Sequence, residues 1–240
     1  LRLALGAMGN PREGAVAVVL SLGLGLTVLA TVGQIDANLR GAIATEMPDR
    51  APSFFFLDIA PDQVEGFTRL LERFEGVSDI RTAPQLRGVV SAINGRPASE
   101  YGNHWVLRGD RGLTYAATQG DVQLTAGEWW PEDYEGPPLI SFGAEEGAEL
   151  GLQLGDTVTV NVLGREITGT IANFRHLDFR SGGIGFVMTF NPGAFRGAPH
   201  TLIATARAPE GSEGAILRAL GAEYPAITAV AIREAARRVT

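Results

Sequence analysis

The chain has no cysteine and no lysine, and all 20 of its basic residues are arginine. Those absences remove a thiolate nucleophile, a thiolate metal site, a Schiff-base lysine and the lysine of a phosphate-binding loop. The lack of disulfides neither requires nor excludes an oxidising compartment. Histidine is scarce: His104, His176 and His200 are far apart, with no carboxylate or second histidine at ligand spacing, so each reads as structural or superficial. No G-x-S-x-G elbow and no H-E-x-x-H stretch occurs. The acidic groups Glu132-Asp133-Glu135 and Glu145-Glu146-Glu149 have nothing beside them to raise one carboxyl, and read as solvated faces. No catalytic, cofactor-binding or metal-binding residue is assigned, and the chain is read as non-enzymatic.

What the sequence does contain is a run from Gly14 to Ile35, 22 positions without a charge. As a helix at about 1.5 Å per residue it reaches about 33 Å, enough for the hydrocarbon core of a bilayer. Five Val, five Leu and one Ile favour insertion. The reading is a transmembrane helix, with Ala15, Leu20, Leu24, Leu29 and Val32 among its transmembrane residues. A buried helix would keep a polar stripe, and Ser21, Thr27, Thr31 and Gln34 are too scattered to form one. A cleaved secretory signal is the stronger rival, since Met8 could start translation, Arg12 could supply the positive region, and Val28-Leu29-Ala30 resembles a cleavage site. Against it, Ile35, Leu39, Ile43 and Met47 recur every four residues with no breaker until Pro48, so the helix is expected to continue as a stalk.

Arg2 and Arg12 precede the run and Asp36 follows it, which puts the N-terminus in the cytoplasm and the large domain outside. Arg2, Arg12 and Glu13 give the first 35 residues a net charge of +1 against −7 for the whole chain, leaving −8 on the remainder. Such an acidic domain is a poor nucleic-acid binder. Leu1, Leu5 and Met8 share one helical face, which suggests a short helix on the membrane surface. With one apparent span, the chain is expected to be an excerpt of a longer polytopic protein.

The outer domain reads as two matching halves around an insert. Pro52–Ala60 has strand character, Pro61–Gly76 is an amphipathic helix, and Val77–Ile93 is a strand interrupted by Pro84. The same order returns in His200–Arg207, Ser212–Tyr224 and Ala226–Ile232. Two βαβ units sharing one sheet give a split ferredoxin-like layer, α+β in class. Between them, Asn94–Pro199 is glycine-rich and reads as a small β-rich subdomain, with a short helix over Gly143–Leu152 and a hairpin turning at Gly164-Arg165. The expected parts are thus a cytoplasmic-side segment (1–13), a span (14–35), a stalk (36–50), the split layer (51–93 and 200–233), the insert (94–199) and a second stalk (234–240). In Phe54-Phe55-Phe56 and Trp129-Trp130, neighbours alternate faces on an extended chain, so one of each set can pack inward while another meets a partner.

The succession RLALGAMGNP, VVLSLGLGLTVLATVGQID, ANLRGAI and RAPSFFFLDI resembles the FtsX-like permeases of ABC transporters, and within them the YbbP-like branch. The likeness continues through GEWWPEDYEGPPLISF, the AEEGAELGLQLGDTVTVNVLGREITGTIANFRHLDFRS segment, FNPGAF, APHTLIATAR and YPAITAVAIREA. It implies a permease subunit of the bacterial inner (cytoplasmic) membrane whose large domain is periplasmic, with a MacB-like porter layer and an inserted β-rich lobe. It also implies partners: a cytoplasmic ATPase that binds ATP and Mg, the other permease half, and lipids or other hydrophobic molecules, alongside a periplasmic esterase. In that setting Ile35, Leu39, Ile43 and Met47 would pack one stalk against another and transmit movement outward, while Leu1, Arg2 and Leu5 would lie near the ATPase. Two further classes stay open: a secreted or periplasmic binding module cleaved near Ala30, and a secreted hydrolase using Ser141 or Ser181, neither of which has a base nearby in sequence.

Overall fold

The computed structural model describes residues 20–34, 52–177 and 184–232. The chain divides into two units, Leu1–Arg50 and Ala51–Thr240.

In the first unit the described residues form one helix, α1 (20–34), on which every residue is exposed. Leu20, Leu24, Leu29 and Val32 present 67%, 70%, 75% and 60% of their surface. Its two threonines turn their hydroxyls back onto the helix, Thr27 Oγ1 to the Gly23 carbonyl and Thr31 Oγ1 to the Thr27 carbonyl, each at 2.7 Å. Among the described residues no helix is long and apolar enough to cross a membrane. The 15 residues of α1 cover the C-terminal two-thirds of the expected span. Ala15, the stalk residues Ile35, Leu39, Ile43 and Met47, and Leu1, Arg2 and Leu5 lie outside the described residues.

The second unit runs through strands β1 (Phe54–Ile59), β2 (Ser78–Ile93), β3 (Arg96–Pro97), β4 (Arg111–Tyr115), β5 (Leu124–Gly127) and β6 (Leu139–Gly143). It continues with β7 (Thr157–Val162), β8 (Arg165–Arg175), β9 (Met188–Phe190), β10 (Thr201–Arg207) and β11 (Thr228–Ala231). Helices α2 (Val64–Glu72), α3 (Ala144–Glu149) and α4 (Glu213–Glu223) interrupt them.

The β1-α2-β2 and β10-α4-β11 units interleave into a four-stranded layer of order β11-β1-β10-β2, with every neighbour antiparallel. Alternation on β1 sends Phe54 and Phe56, and a bulge at Asp58 (φ 62°) sends Ile59, into a core shared with Phe67, Leu70 and Leu71 of α2 and Ile216 and Leu220 of α4. Positions 67, 70 and 71 fall on one helical stripe, which is why α2 buries that face. Phe56 stacks edge-on to Phe67 at 4.9 Å. Phe55 points the other way and is only half-buried. Pro84 does not interrupt β2: it stands opposite Leu202 on a segment that forms the edge of the layer, where a missing N–H need not find a partner.

The insert closes on itself. Residues Leu86–Gly88 of β2 pair with β4, β4 pairs with β9, β9 with β6, β6 with β8, β8 with β7, and β7 returns to Val89–Ile93 of β2. The result is a six-stranded barrel whose register is staggered along β2, as closure of a tilted sheet requires. Leu86, Val90, Leu113, Ile140, Phe142, Val160, Ile171 and Met188 fill it. Closure removes the edges that a small sheet would leave exposed. Its β7–β8 hairpin turns at Leu163-Gly164, both at positive φ (51° and 86°), one residue earlier than the sequence suggested. β2 is therefore common to both parts: its first half belongs to the layer and its second half to the barrel.

Candidate functional site

At one end of the barrel, the chain leaving β4, the segment before β6 and the segment between β9 and β10 enclose a groove of about 880 Å³. Tyr115 closes β4 and His200 immediately precedes β10, so the groove lies where the barrel joins the layer. The His200 ring is fixed by two bonds: Nδ1 donates to the Ala198 carbonyl at 3.0 Å, which leaves Nε2 to accept from the Tyr115 hydroxyl, also at 3.0 Å. Burial pushes the Tyr115 phenol up, so it stays protonated and serves as the donor. Phe195 packs beneath, 4.8 Å from Phe190. On the opposite wall stand Glu132, Asp133, Tyr134 and Glu135, of which Glu135 meets Arg196 at 3.3 Å across an exposed pair.

A second cleft, of about 390 Å³, separates β2 of the layer from the barrel, with Arg81, Pro84, Thr114, Trp129, Arg175 and His176 among its walls. Arg81 bridges it, bonding Asp79 at 2.9 Å and reaching Asp121 at 3.8 Å. Arg207 joins the same Asp79 at 3.2 Å. The Arg81 hydrogen bond holds the Asp79 carboxyl below the usual carboxylate range. Trp129 and Trp130 tie down the loop beside this cleft, with their indole N–H groups donating to the carbonyls of Ala117 and Ala116. Trp130 is buried and Trp129 half-buried, the alternation expected of adjacent aromatics.

Arg175 lies at the end of β8 and is 4% exposed. Its guanidinium donates to the Ser141 carbonyl and, at 2.8 Å, to Ser141 Oγ, and also to the Phe186 carbonyl, which ties β8 to β6 and to the segment leading into β9. Burial lowers its pKa to about 10, with the charge of Glu146 acting in the opposite direction. Glu146 is not on a solvated face: it is 7% exposed, and its Oε2 has no hydrogen-bond partner. Ser141 is fully buried beneath Arg175 and cannot meet a substrate where it stands, while Ser181 lies outside the described residues.

The histidines are in different places. His104 bonds Glu149 at 2.6 Å through Nε2, its Nδ1 accepting from the Val106 N–H; His176 is exposed, and His200 lines the groove. The His104–Glu149 pair joins residues 45 positions apart, which local spacing does not register. Among the described residues no group of three His, Cys, Asp or Glu could hold a metal. Of the residues assigned from the sequence, Leu20, Leu24, Leu29 and Val32 all lie on α1; none is in the second unit, and the groove and the Arg175 cluster had not been assigned.

No protein-family model matches the chain. It is 26% identical over 229 residues, 95% of its length, to an ABC transporter permease. The expected kinship with the permeases of ABC transporters is thereby borne out. The relative is the uncharacterized permease YbbP of Escherichia coli strain K12, and the chain spans 28% of its length. Among solved structures, a domain of a Porphyromonas gingivalis protein titled as a permease aligns over 75% of this chain and 88% of its own, at 14% identity and a TM-score of 0.38. A score that low does not establish a shared fold.

Proposed function

We propose that the chain is part of an ABC transporter permease subunit, in which residues 14–35 cross the membrane and residues 52–232 form an extracytoplasmic domain. The observation that carries the reading is α1: every described residue is exposed, none is charged, and both threonine hydroxyls are satisfied within the helix, as polar groups in hydrocarbon must be. The strand order β11-β1-β10-β2 under two helices supports a split ferredoxin-like layer of the porter type, with the barrel as its inserted lobe. In this reading the subunit is not itself catalytic. A partner ATPase binds ATP and Mg, its closure shifts the membrane helices, and the stalk residues Ile35, Leu39, Ile43 and Met47 carry that movement to the outer domain against the other permease half. The cargo is a lipid or another hydrophobic molecule of the inner membrane's outer leaflet, with an esterase as a further partner.

The test uses the full-length gene product in inverted and right-side-out vesicles. Expected are retention in the membrane after alkaline extraction, protection of residues 52–232 from protease in inverted vesicles only, and co-purification with an ATPase whose turnover responds to added lipid. Leu24→Arg should impair insertion of this span and open residues 52–232 to protease in inverted vesicles, since one arginine at mid-helix costs about 2.5–3.5 kcal/mol of insertion. A mature N-terminus at Thr31 would select the cleaved binding module instead.

A further inference from the structure

The groove between residues 132–135 and 192–200 has a chemistry of its own, apart from any role of α1. The charged groups on it that have no ion-pair partner are carboxylates. Glu132 and Asp133 make no ion pair among the described residues, and the one arginine on the wall, Arg196, is engaged by Glu135. Tyr115 gives its proton to His200 Nε2, so its oxygen has only lone pairs left to offer an occupant. His200 itself donates only to the Ala198 carbonyl. Between these acceptors the wall is aromatic, with Tyr134, Phe195 and the Tyr115 ring, and aromatic faces attract cations. The volume, about 880 Å³, is in the range of small-molecule sites, which favour joints between substructures, and this groove sits at such a joint.

We propose that the groove binds an organic cation, an ammonium or guanidinium group on an apolar body, with the charge between Glu132, Asp133 and the Tyr115 oxygen and the apolar part against Tyr134 and Phe195. Because Tyr115 belongs to the barrel and His200 leads into the layer, an occupant touches both parts at their joint. The site goes beyond the permease reading and does not depend on it.

The probe is 2-phenylethylammonium chloride, titrated into the full-length protein and followed by calorimetry and by saturation transfer to the ligand's protons. Expected is saturable binding that weakens as salt rises, because exposed carboxylates are screened. Phenylacetate and neutral 2-phenylethanol should bind at least about tenfold more weakly, and the double substitution Glu132→Gln with Asp133→Asn should lower affinity by about tenfold. Tyr115→Phe should lower it by about threefold. Absence of saturable binding, equal binding of 2-phenylethanol, or salt-independent affinity in the unsubstituted protein would each overturn the proposal, whether or not the variants fold. Membrane insertion and ATPase association play no part in the readout, so failure here leaves the permease reading standing, and failure of that reading leaves the groove.

Discussion

Arg175 shows how a single residue can hold two strands and a connecting segment at once. Two carbonyls and one hydroxyl, contributed by Ser141 and Phe186, depend on it. Arg175→Met would remove a buried charge but leave those acceptors without donors, so a loss of about 3 kcal/mol is expected in urea unfolding. Leu163 poses the opposite case. It holds φ at 51° in the β7–β8 turn with 77% of its surface exposed, so its side chain gains little from burial and the backbone is strained. Leu163→Asn should stabilise the protein by about 0.5–1 kcal/mol in the same measurement. Asp79 sets an acid limit: its carboxyl is held low by Arg81, so its contribution is present above the unfolded value and disappears as pH falls through the folded one. Asp79→Asn is expected to flatten the loss of thermal stability below about pH 4.

At the level of elements, the layer was legible because local pattern and tertiary role agree. Phe54 and Phe56 alternate with Phe55 as a half-buried strand must, and Phe67, Leu70 and Leu71 recur as a helix stripe must. The barrel was legible only as separate strands. Its closure depends on β2 pairing with β7 some 70 residues later and on the parallel pairs β4–β9 and β6–β8, none of which leaves a local trace. The groove was invisible for the same reason, since Tyr115 and His200 meet across 85 residues. Glu146 was misread because a glutamate at a helix start looks solvated until the fold lays α3 against Arg175. Glycines are equally mute until placed. Gly127 combines φ of 76° with an Ala172 carbonyl 2.2 Å from where a Cβ would stand, so β5 can pair with β8 only if that position stays bare. Gly127→Ala should detach β5 and cost about 2 kcal/mol or more by thermal unfolding.

For the whole molecule, kinship with a permease more than three times as long sets the frame, while α1 and the second unit supply what can be tested on this chain. If the stalk transmits movement, charged substitutions at Leu39 and Ile43 should uncouple ATP turnover from a distance change between labels on paired outer domains. Full coupling in such variants would refute mechanical transmission without touching the assignment as a permease.

The strand that serves both the layer and the barrel carries a consequence for how the domain comes apart. Melting either part strips hydrogen bonds from β2, so neither has a free-standing native state to fall back on. Amide hydrogen exchange should therefore find the protons of residues 80 to 92 released together in one global opening, with a single calorimetric peak for the second unit.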